Sequence, residues 1–386
     1  NIKNGFVSFA DCLYIDRDAH RLLHKSAVEP ETVLLTMSGS VGNSAVALRG
    51  WKYPINSNQD VAKIRVSSVD PYYLAAFLGS RYGKSQMERL PVGSVQQHIF
   101  LWMIEEMLVA RLPSGLEARI SSTVHAAYDA GEHSKNLLDQ ADAVYLRSLG
   151  LTNSTRADPL TYSGSVRSAR DARRLDSEYF APRILDLRAR LDQAKQSVGD
   201  VAPSRREKFC SAGEGAIDYI EIGDLMGDGS TGSSSVDRTD APSRATWHVH
   251  SGDVITSTVR PIRRLSAIIS EEQDGFVCSS GFVVLSPKKI QSEVLLTYLR
   301  LPVFCELMNL YTSASMYPAI SERDLLALPF AQPNPTDRNT ICNTVRSARQ
   351  CRRRASVLLH AAQRSVELAI EKGEAAANRL LDEAHK

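Results

Sequence analysis

The residues best equipped for chemistry in this 386-residue chain sit in polar loops that follow apolar runs. Ser38-Gly39-Ser40-Val41-Gly42 follows Val33-Leu34-Leu35-Thr36 and invites comparison with a phosphate cradle. It is not GxxxxGK[ST], it holds no lysine, and Ser44-Ala45-Val46-Ala47-Leu48 after it reads as a strand rather than a helix. A similar loop recurs later as Arg260-Pro261-Ile262-Arg263-Arg264, an exchange that a nucleotide-binding loop would not tolerate. A loop that varies on a repeated scaffold reads instead as a recognition surface. Lysine and arginine neutralise phosphates, arginine pairs bidentately with guanine edges, and amides or hydroxyls suit adenine edges and the backbone. On that chemistry the candidate nucleic-acid contacts in the first half are Ser38, Ser40, Asn43, Lys52, Gln96, Gln97 and His98. In the second half they are Arg205, Arg206, Lys208, Arg260, Arg263, Arg264, Ser315 and Tyr317. Alanine at Arg260, Arg263 and Arg264 is expected to impair recognition and leave folding intact.

Catalytic sets are missing from the pattern. There is no GxSxG and no well-placed SxxK. The carboxylates Glu105, Glu106, Asp218, Glu221, Asp224 and Asp253 are scattered and read as solvated surface. The six cysteines form no CxxC pair, which favours reduced thiols over a zinc site or a disulfide framework. Nine histidines contain no HExxH; His248 and His250 only alternate along an apparent strand. The expectation is a chain with no catalytic residue, no metal and no cofactor of its own.

Forty-six basic against forty-four acidic residues give a formal charge of +2, so nucleic-acid binding requires local clustering. A 43% hydrophobic and 23% charged composition is that of a globular protein. No apolar run approaches the roughly eighteen residues of a membrane span. Asn1–Phe6 lacks a signal pattern, and a cytoplasmic location is expected.

The elements that must position these loops are set by an internal repeat. Val254 stands 221 residues after Val33, and the same offset relates Ile64 to Leu285, Leu74 to Leu295, Phe77 to Tyr298, Leu78 to Leu299 and Ile99 to Ile320. The offset reads as constant, which sets Gly42-Asn43 against Arg263-Arg264. Val61–Val66 and Phe282–Leu285 are strand-like, whereas the segments from Tyr72 and Glu293 open helices, the former behind Asp70-Pro71. The Phe100–Leu108 segment is unusually apolar for its place; packing into the core is the first expectation and a partner-facing surface the alternative.

After each half comes a long stretch with helical periodicity and almost no Gly or Pro. Its 4-3 seam runs through Ile120, Val124, Ala127, Gly131, Ser134, Leu138, Ala141 and Tyr145. The second copy runs through Ile341, Val345, Ala348, Arg352, Ala355, Leu359, Ala362, Val366, Ala369, Gly373, Ala376 and Leu380. Matched seams of small residues predict two helices that bury each other. The second, from Asp337 to near Glu383, would be about 70 Å long at ~1.5 Å per residue. Arg352-Arg353-Arg354 falls on its solvated or partner-facing stripe. The fold class expected is α+β: two similar globular units, each followed by a long coiled-coil helix, with the two helices paired within the chain. The boundaries are 1–113, first domain; 114–150, first helix; 151–174, linker; 175–335, second domain; and 336–386, second helix. Leu175–Glu221 has no counterpart before Asn1, which leads us to expect that roughly 50 residues of the first repeat precede it.

Several phrases in this order resemble the DNA-specificity (S) subunit of type I restriction-modification systems. They are Arg174-Leu175-Asp176-Ser177-Glu178-Tyr179-Phe180, the segments Val33–Gly42 and Gly252–Pro261, and the closing phrases Gly93–Ile99 and Tyr317–Leu325. The resemblance implies two similar target recognition domains separated by two long antiparallel coiled-coil helices, each domain reading half of a split sequence in double-stranded DNA, with the helices as a ruler. It also implies a non-catalytic chain that binds two methyltransferase subunits and, in some assemblies, restriction or translocase subunits. S-adenosylmethionine, ATP and Mg would belong to those partners. Two alternatives remain open: a recognition subunit of another DNA-based phage-defence assembly, and a coiled-coil protein–protein adaptor that binds no DNA.

Overall fold

Short β-branched runs, a strong helix cap and two uninterrupted helical stretches set the architecture. The computed structural model describes residues 2–9, 12–89, 98–151, 158–313 and 316–386. The first part of the chain contains β1 (Ile2–Lys3), β2 (Phe6–Val7), α1 (Arg17–Leu22), β3 (Ala27–Val28), β4 (Val33–Thr36), β5 (Ser44–Val46), β6 (Ile55–Asn56), β7 (Val61–Ile64), α2 (Pro71–Gly79), α3 (Arg81–Glu88), α4 (Leu101–Glu105) and α5 (Ser114–Ser148). There follow α6 (Val166–Ala172), α7 (Pro182–Leu191), α8 (Val198–Val201), β8 (Ala216–Ile220), β9 (Ser234–Asp237), β10 (Ala245–His248), β11 (Val254–Ser257), β12 (Ser266–Ile268), β13 (Val277–Ser279) and β14 (Phe282–Leu285). The last elements are α9 (Ser292–Arg300), α10 (Pro302–Leu310), β15 (Thr312–Ser313), β16 (Ala319–Ile320), α11 (Glu322–Ala327), α12 (Pro335–Lys372) and α13 (Glu374–Ala384). The chain divides into two units. One comprises Asn1–Ser134 with Gln350–Lys386, the other Lys135–Arg349.

Each unit holds the same sheet. In the first, β4 is the centre of an antiparallel β5-β4-β7 sheet with Val33 opposite Ile64. In the second, β11 is the centre of β12-β11-β14 with Val254 opposite Leu285. Both centres are almost wholly buried, so neither shows the apolar–polar alternation of a half-exposed strand. The β3–β6 and β10–β13 pairs repeat as well, Ala27 facing Asn56 and His248 facing Val277. One correction follows from register. Leu35 faces Ser44, but Thr256 faces Ser266, so the second loop is one residue longer and the offset is 222 at β5 and β12. Gly42 therefore corresponds to Arg264, and Asn43 to Leu265.

The α2 helix starts where its cap dictates. Asp70 accepts hydrogen bonds from the Tyr72 and Tyr73 amides at 2.8 and 3.2 Å, and Pro71 occupies the first turn, where its missing N–H costs nothing. Ser121 of α5 donates to the same carboxylate at 2.8 Å, so the cap also fixes α2 against the long helix.

Within the first unit, Ile120, Val124 and Ala127 of α5 share a core with Leu358, Leu359, Ala362 and Val366 of α12. Within the second, Leu138, Ala141 and Tyr145 of α5 pack with Ile341 and Val345 of α12, and Ala348 is fully buried. A branched aliphatic side chain buried in this way contributes about 1.5–3 kcal/mol. The second helix is not continuous to Glu383: Gly373, at φ +83°, ends α12 in a left-handed turn. α13 then restarts one residue out of the expected seam, burying Ala377 and Leu381 instead of Ala376 and Leu380. Arg119 of α5 pairs with Asp382 of α13 at 2.5 Å.

The Phe100–Leu108 segment departs from the core-packing expectation. Met103 is buried, but Phe100, Leu101, Trp102 and Leu108 are exposed. A five-residue helix has only one inward face, and Met103 takes it.

Candidate nucleic-acid interface

In the first unit the loop after β4 is closed by its own side chains. Thr36 Oγ1 donates to the Ser40 carbonyl at 2.5 Å and accepts from the Asn43 amide at 2.9 Å, and Asn43 Nδ2 donates to the Ser40 carbonyl at 3.0 Å. Gly39 (φ +70°) and Gly42 (φ +88°) take the left-handed positions that this tight turn requires. Ser38 forms a β-bridge with His98, and the Ile99 amide donates to Met37 at 2.9 Å. The structure thus brings Ser38, Ser40, Asn43 and His98 together. Lys52 is exposed in a separate turn after β5. Gln96 and Gln97 lie outside the described residues.

The second unit closes its loop at the equivalent positions. Val259 bridges Ala319, Ile320 N donates to the Thr258 carbonyl at 3.0 Å, and Arg260 N donates to the Pro318 carbonyl at 2.7 Å. The left-handed positions fall on Arg260 (φ +50°) and Arg264 (φ +58°), flanking a 3-10 turn at Pro261–Arg263. Side chains rarely adopt that backbone, at a cost of about 1–2 kcal/mol each, so both arginines must be held by other contacts. Arg260 lies 5.0 Å above the Tyr317 ring and donates to the Met316 carbonyl at 3.2 Å. Arg264 donates through Nε to the Arg300 carbonyl and through Nη2 to Asp142 Oδ2 of α5, both at 2.5 Å. Burial raises the Asp142 carboxyl and lowers Arg300, against the attraction of their opposite charges.

What remains at the surface of the loop is Ile262 and Arg263, beside Met316 and a Tyr317 that is 63% exposed. A guanidinium next to an aromatic face and two aliphatic tips can neutralise a phosphate, pair with a guanine edge and pack on a sugar or thymine methyl. Ser315 lies outside the described residues.

Two arginines expected at the surface have internal roles. Arg264 is one. Arg205 is the other, since it makes a bidentate pair with Asp253 at 2.7 and 3.2 Å and reaches Ser286 Oγ at 3.1 Å. Asp253 is not solvated surface either; it is 2% exposed, and a buried carboxylate needs that partner. Arg206 is exposed and pairs with Glu322 at 3.1 Å, at the start of α11, while Lys208 is exposed beside β10, bridging Trp247. Sequence reading missed Asp142 and Arg300. A charged residue on the seam side of a long helix was the available signal.

His250 lies just past β10, between Glu207 (3.0 Å) and Asp274 (3.2 Å). The Glu207 hydrogen bond raises its pKa, partial burial opposes, and Asp274 adds to the rise. The Glu207 and Asp274 carboxyls are lowered, by the bond to His250 and by the Ser251 amide respectively. A raised imidazole stabilises the fold fully below its unfolded pKa and loses that contribution as pH rises through the folded one. A His250→Gln variant is therefore expected to be less stable than the parent at pH 5–6 and nearly equal to it well above neutrality. Urea midpoints measured across pH check this.

Among the described residues, no three His, Cys, Asp or Glu side chains are grouped to hold a metal. The Cys278 and Cys305 thiols are pushed up to about 12 by burial, which leaves them unreactive. No described helix is long and apolar enough to cross a membrane.

No family model and no curated protein matches the chain. Among solved structures it is similar to the HsdS subunit from Thermoanaerobacter tengcongensis, at 22% identity over 45% of this chain and 47% of that one, with a TM-score of 0.33. The chain thus spans about half the length of that subunit. It is also similar to the S subunit of a type I restriction-modification system from M. genitalium, at 12% identity over 92% of this chain and 83% of that one, TM-score 0.35. A third similarity is to a chain from a structure of type I R-M complex assembly and conformational transition, at 15% identity over 93% and 82%, TM-score 0.30.

Proposed function

We propose that this chain is a non-catalytic, sequence-specific DNA-reading subunit of a restriction-modification assembly. Each unit contacts one half of a split target. The observation that carries this reading is the repeated loop closure, Ser38 with His98 and Val259 with Ala319, around loops of unlike residues and unlike length. A fixed backbone frame with exchanged tips is what two readers of different half-sites require. Early α5 packs with late α12 and late α5 with early α12, the order of an antiparallel pair. Such a pair converts half-site spacing into a length. Methyl transfer from S-adenosylmethionine, and any ATP- and Mg-dependent cleavage, fall to partner subunits, with two methyltransferase subunits docking on the helices. Domain limits near 113 and 335 belong to the same reading.

The test is a map of methylated bases in cells that express the chain with its partner methyltransferase, set against cells lacking the chain. A split motif of fixed spacing that disappears with the chain is the expected result. Methylation indifferent to the chain would overturn the reading and favour an adaptor. In vitro, affinity for duplex DNA should fall steeply with salt, by about 0.9 log units per decade of salt for each phosphate contact.

A further inference from the structure

Arg264 does not share the exposure of its loop. Its guanidinium turns inward to Asp142 on α5 and to the Arg300 carbonyl, while Arg300, only 7% exposed, donates back to the Arg264 carbonyl at 3.1 Å and to that of Gly227. One carboxylate on a long helix thereby sits with two guanidiniums of the recognition unit. The opposite end of the loop is fastened through Arg260 to Pro318 and Met316. Between these anchors the turn Pro261–Arg263 has little freedom, and it carries the exposed tip.

The first unit lacks this anchor at all three positions together. The residues equivalent to Asp142, Arg300 and Arg264 are Gln363, Gly79 and Gly42. A β-carbon on Gly79 would lie 2.3 Å from Gln363 Nε2, so the helix side chain fills the space that the domain side chain fills in the second unit. Charge is gone from both sides of the contact. Losing one member alone would leave a buried charge without its partner, at a large cost; the joint replacement avoids it. The first loop is instead held by Thr36, Ser40 and Asn43, all within itself.

We propose that Asp142 is a positioning residue, which through Arg264 fixes the direction in which Arg263 and Arg260 are presented. Base selectivity in the second unit then depends on a carboxylate of the long helix, and selectivity in the first does not. This rests on the DNA reading proposed above.

The test compares the full chain with Asp142→Asn, Arg264→Asn and Arg264→Lys. Asparagine tolerates the left-handed backbone of position 264 but cannot reach α5; exchange at core amides outside residues 258–266 reports in every variant whether the fold is kept. Amide hydrogen exchange is read over residues 258–266, where Arg263 and Arg264 donate to Arg260 and Pro261 at 3.0 Å each. Sequence preference is read by selection from duplexes randomised in both half-sites. Both asparagine variants are expected to exchange about 10-fold faster in this segment and to lose about 10-fold of discrimination at one half-site only, with partial recovery in Arg264→Lys. Unchanged exchange would overturn the anchor. Faster exchange with both preferences intact, or equal loss at both half-sites, would overturn the positioning role. A parent chain that selects no sequence sinks the DNA reading and the selectivity claim with it, while the exchange result still judges the anchor.

Discussion

Alanine at Arg260 and Arg263 together is expected to weaken binding to one half-site by about 100-fold and leave the other half-site and the fold untouched. The magnitude follows from a bidentate base contact, worth about 1–3 kcal/mol, with a further loss from any phosphate these groups neutralise. Arg263 is exposed and Arg260 lies over an exposed ring, so their removal opens no core. Arg264 must be left in place. Removing it strips Asp142 of its direct partner and disturbs packing, so the triple substitution suggested by sequence alone confuses recognition with stability. Binding isotherms against duplexes with one or the other half scrambled provide the measurement. Parental affinity for both duplexes would remove this loop from the interface.

Tyr298→Ala is expected to cost the second unit about 3–5 kcal/mol, the range for emptying a large buried aromatic site. The ring is fully buried between Tyr145, Phe304 and Phe330, with centroids 5.5, 4.3 and 4.7 Å away. Its hydroxyl donates to the Pro329 carbonyl at 2.6 Å, so Tyr298→Phe isolates the smaller cost of that bond, about 0.5–1.5 kcal/mol. A single domain has only about 5–15 kcal/mol to lose. Trp247 lies in the second unit, whereas Trp51 and Trp102 lie in the first. A chain retaining only Trp247 would report the loss by urea denaturation; a midpoint equal to the parent's would contradict the packing.

Much of this architecture was legible because hydrophobic periodicity and offset are local properties. Val33 and Val254 announce the same strand, and Ile120 or Val345 announce a helix seam, without knowledge of what they touch. Three features were not legible, each for a stated reason. The one-residue difference between the two loops is absorbed before β6 and β13, so the offset on either side conceals it. Gly373 differs little from a tolerated glycine within a helix until its backbone turns left-handed. Arg205 and Arg264 look like surface arginines because their carboxylate partners are 48 and 122 residues distant. The candidate interface was read as loops, and which of its arginines face outward depends on long-range pairing.

The discontinuous first unit has a consequence for synthesis. Residues 1–134 leave the ribosome with Leu116, Ile120, Val124 and Ala127 lacking the helix that covers them, since the covering side chains fall within 350–386. The unit formed by 135–349 is contiguous and can complete itself first. At about 5–20 residues per second the earlier segment waits on the order of 10–50 s for its closing strand of chain. Of the two units, the one begun earlier is the one finished later. During that interval the seam of its long helix is left without the side chains that bury it in the finished unit.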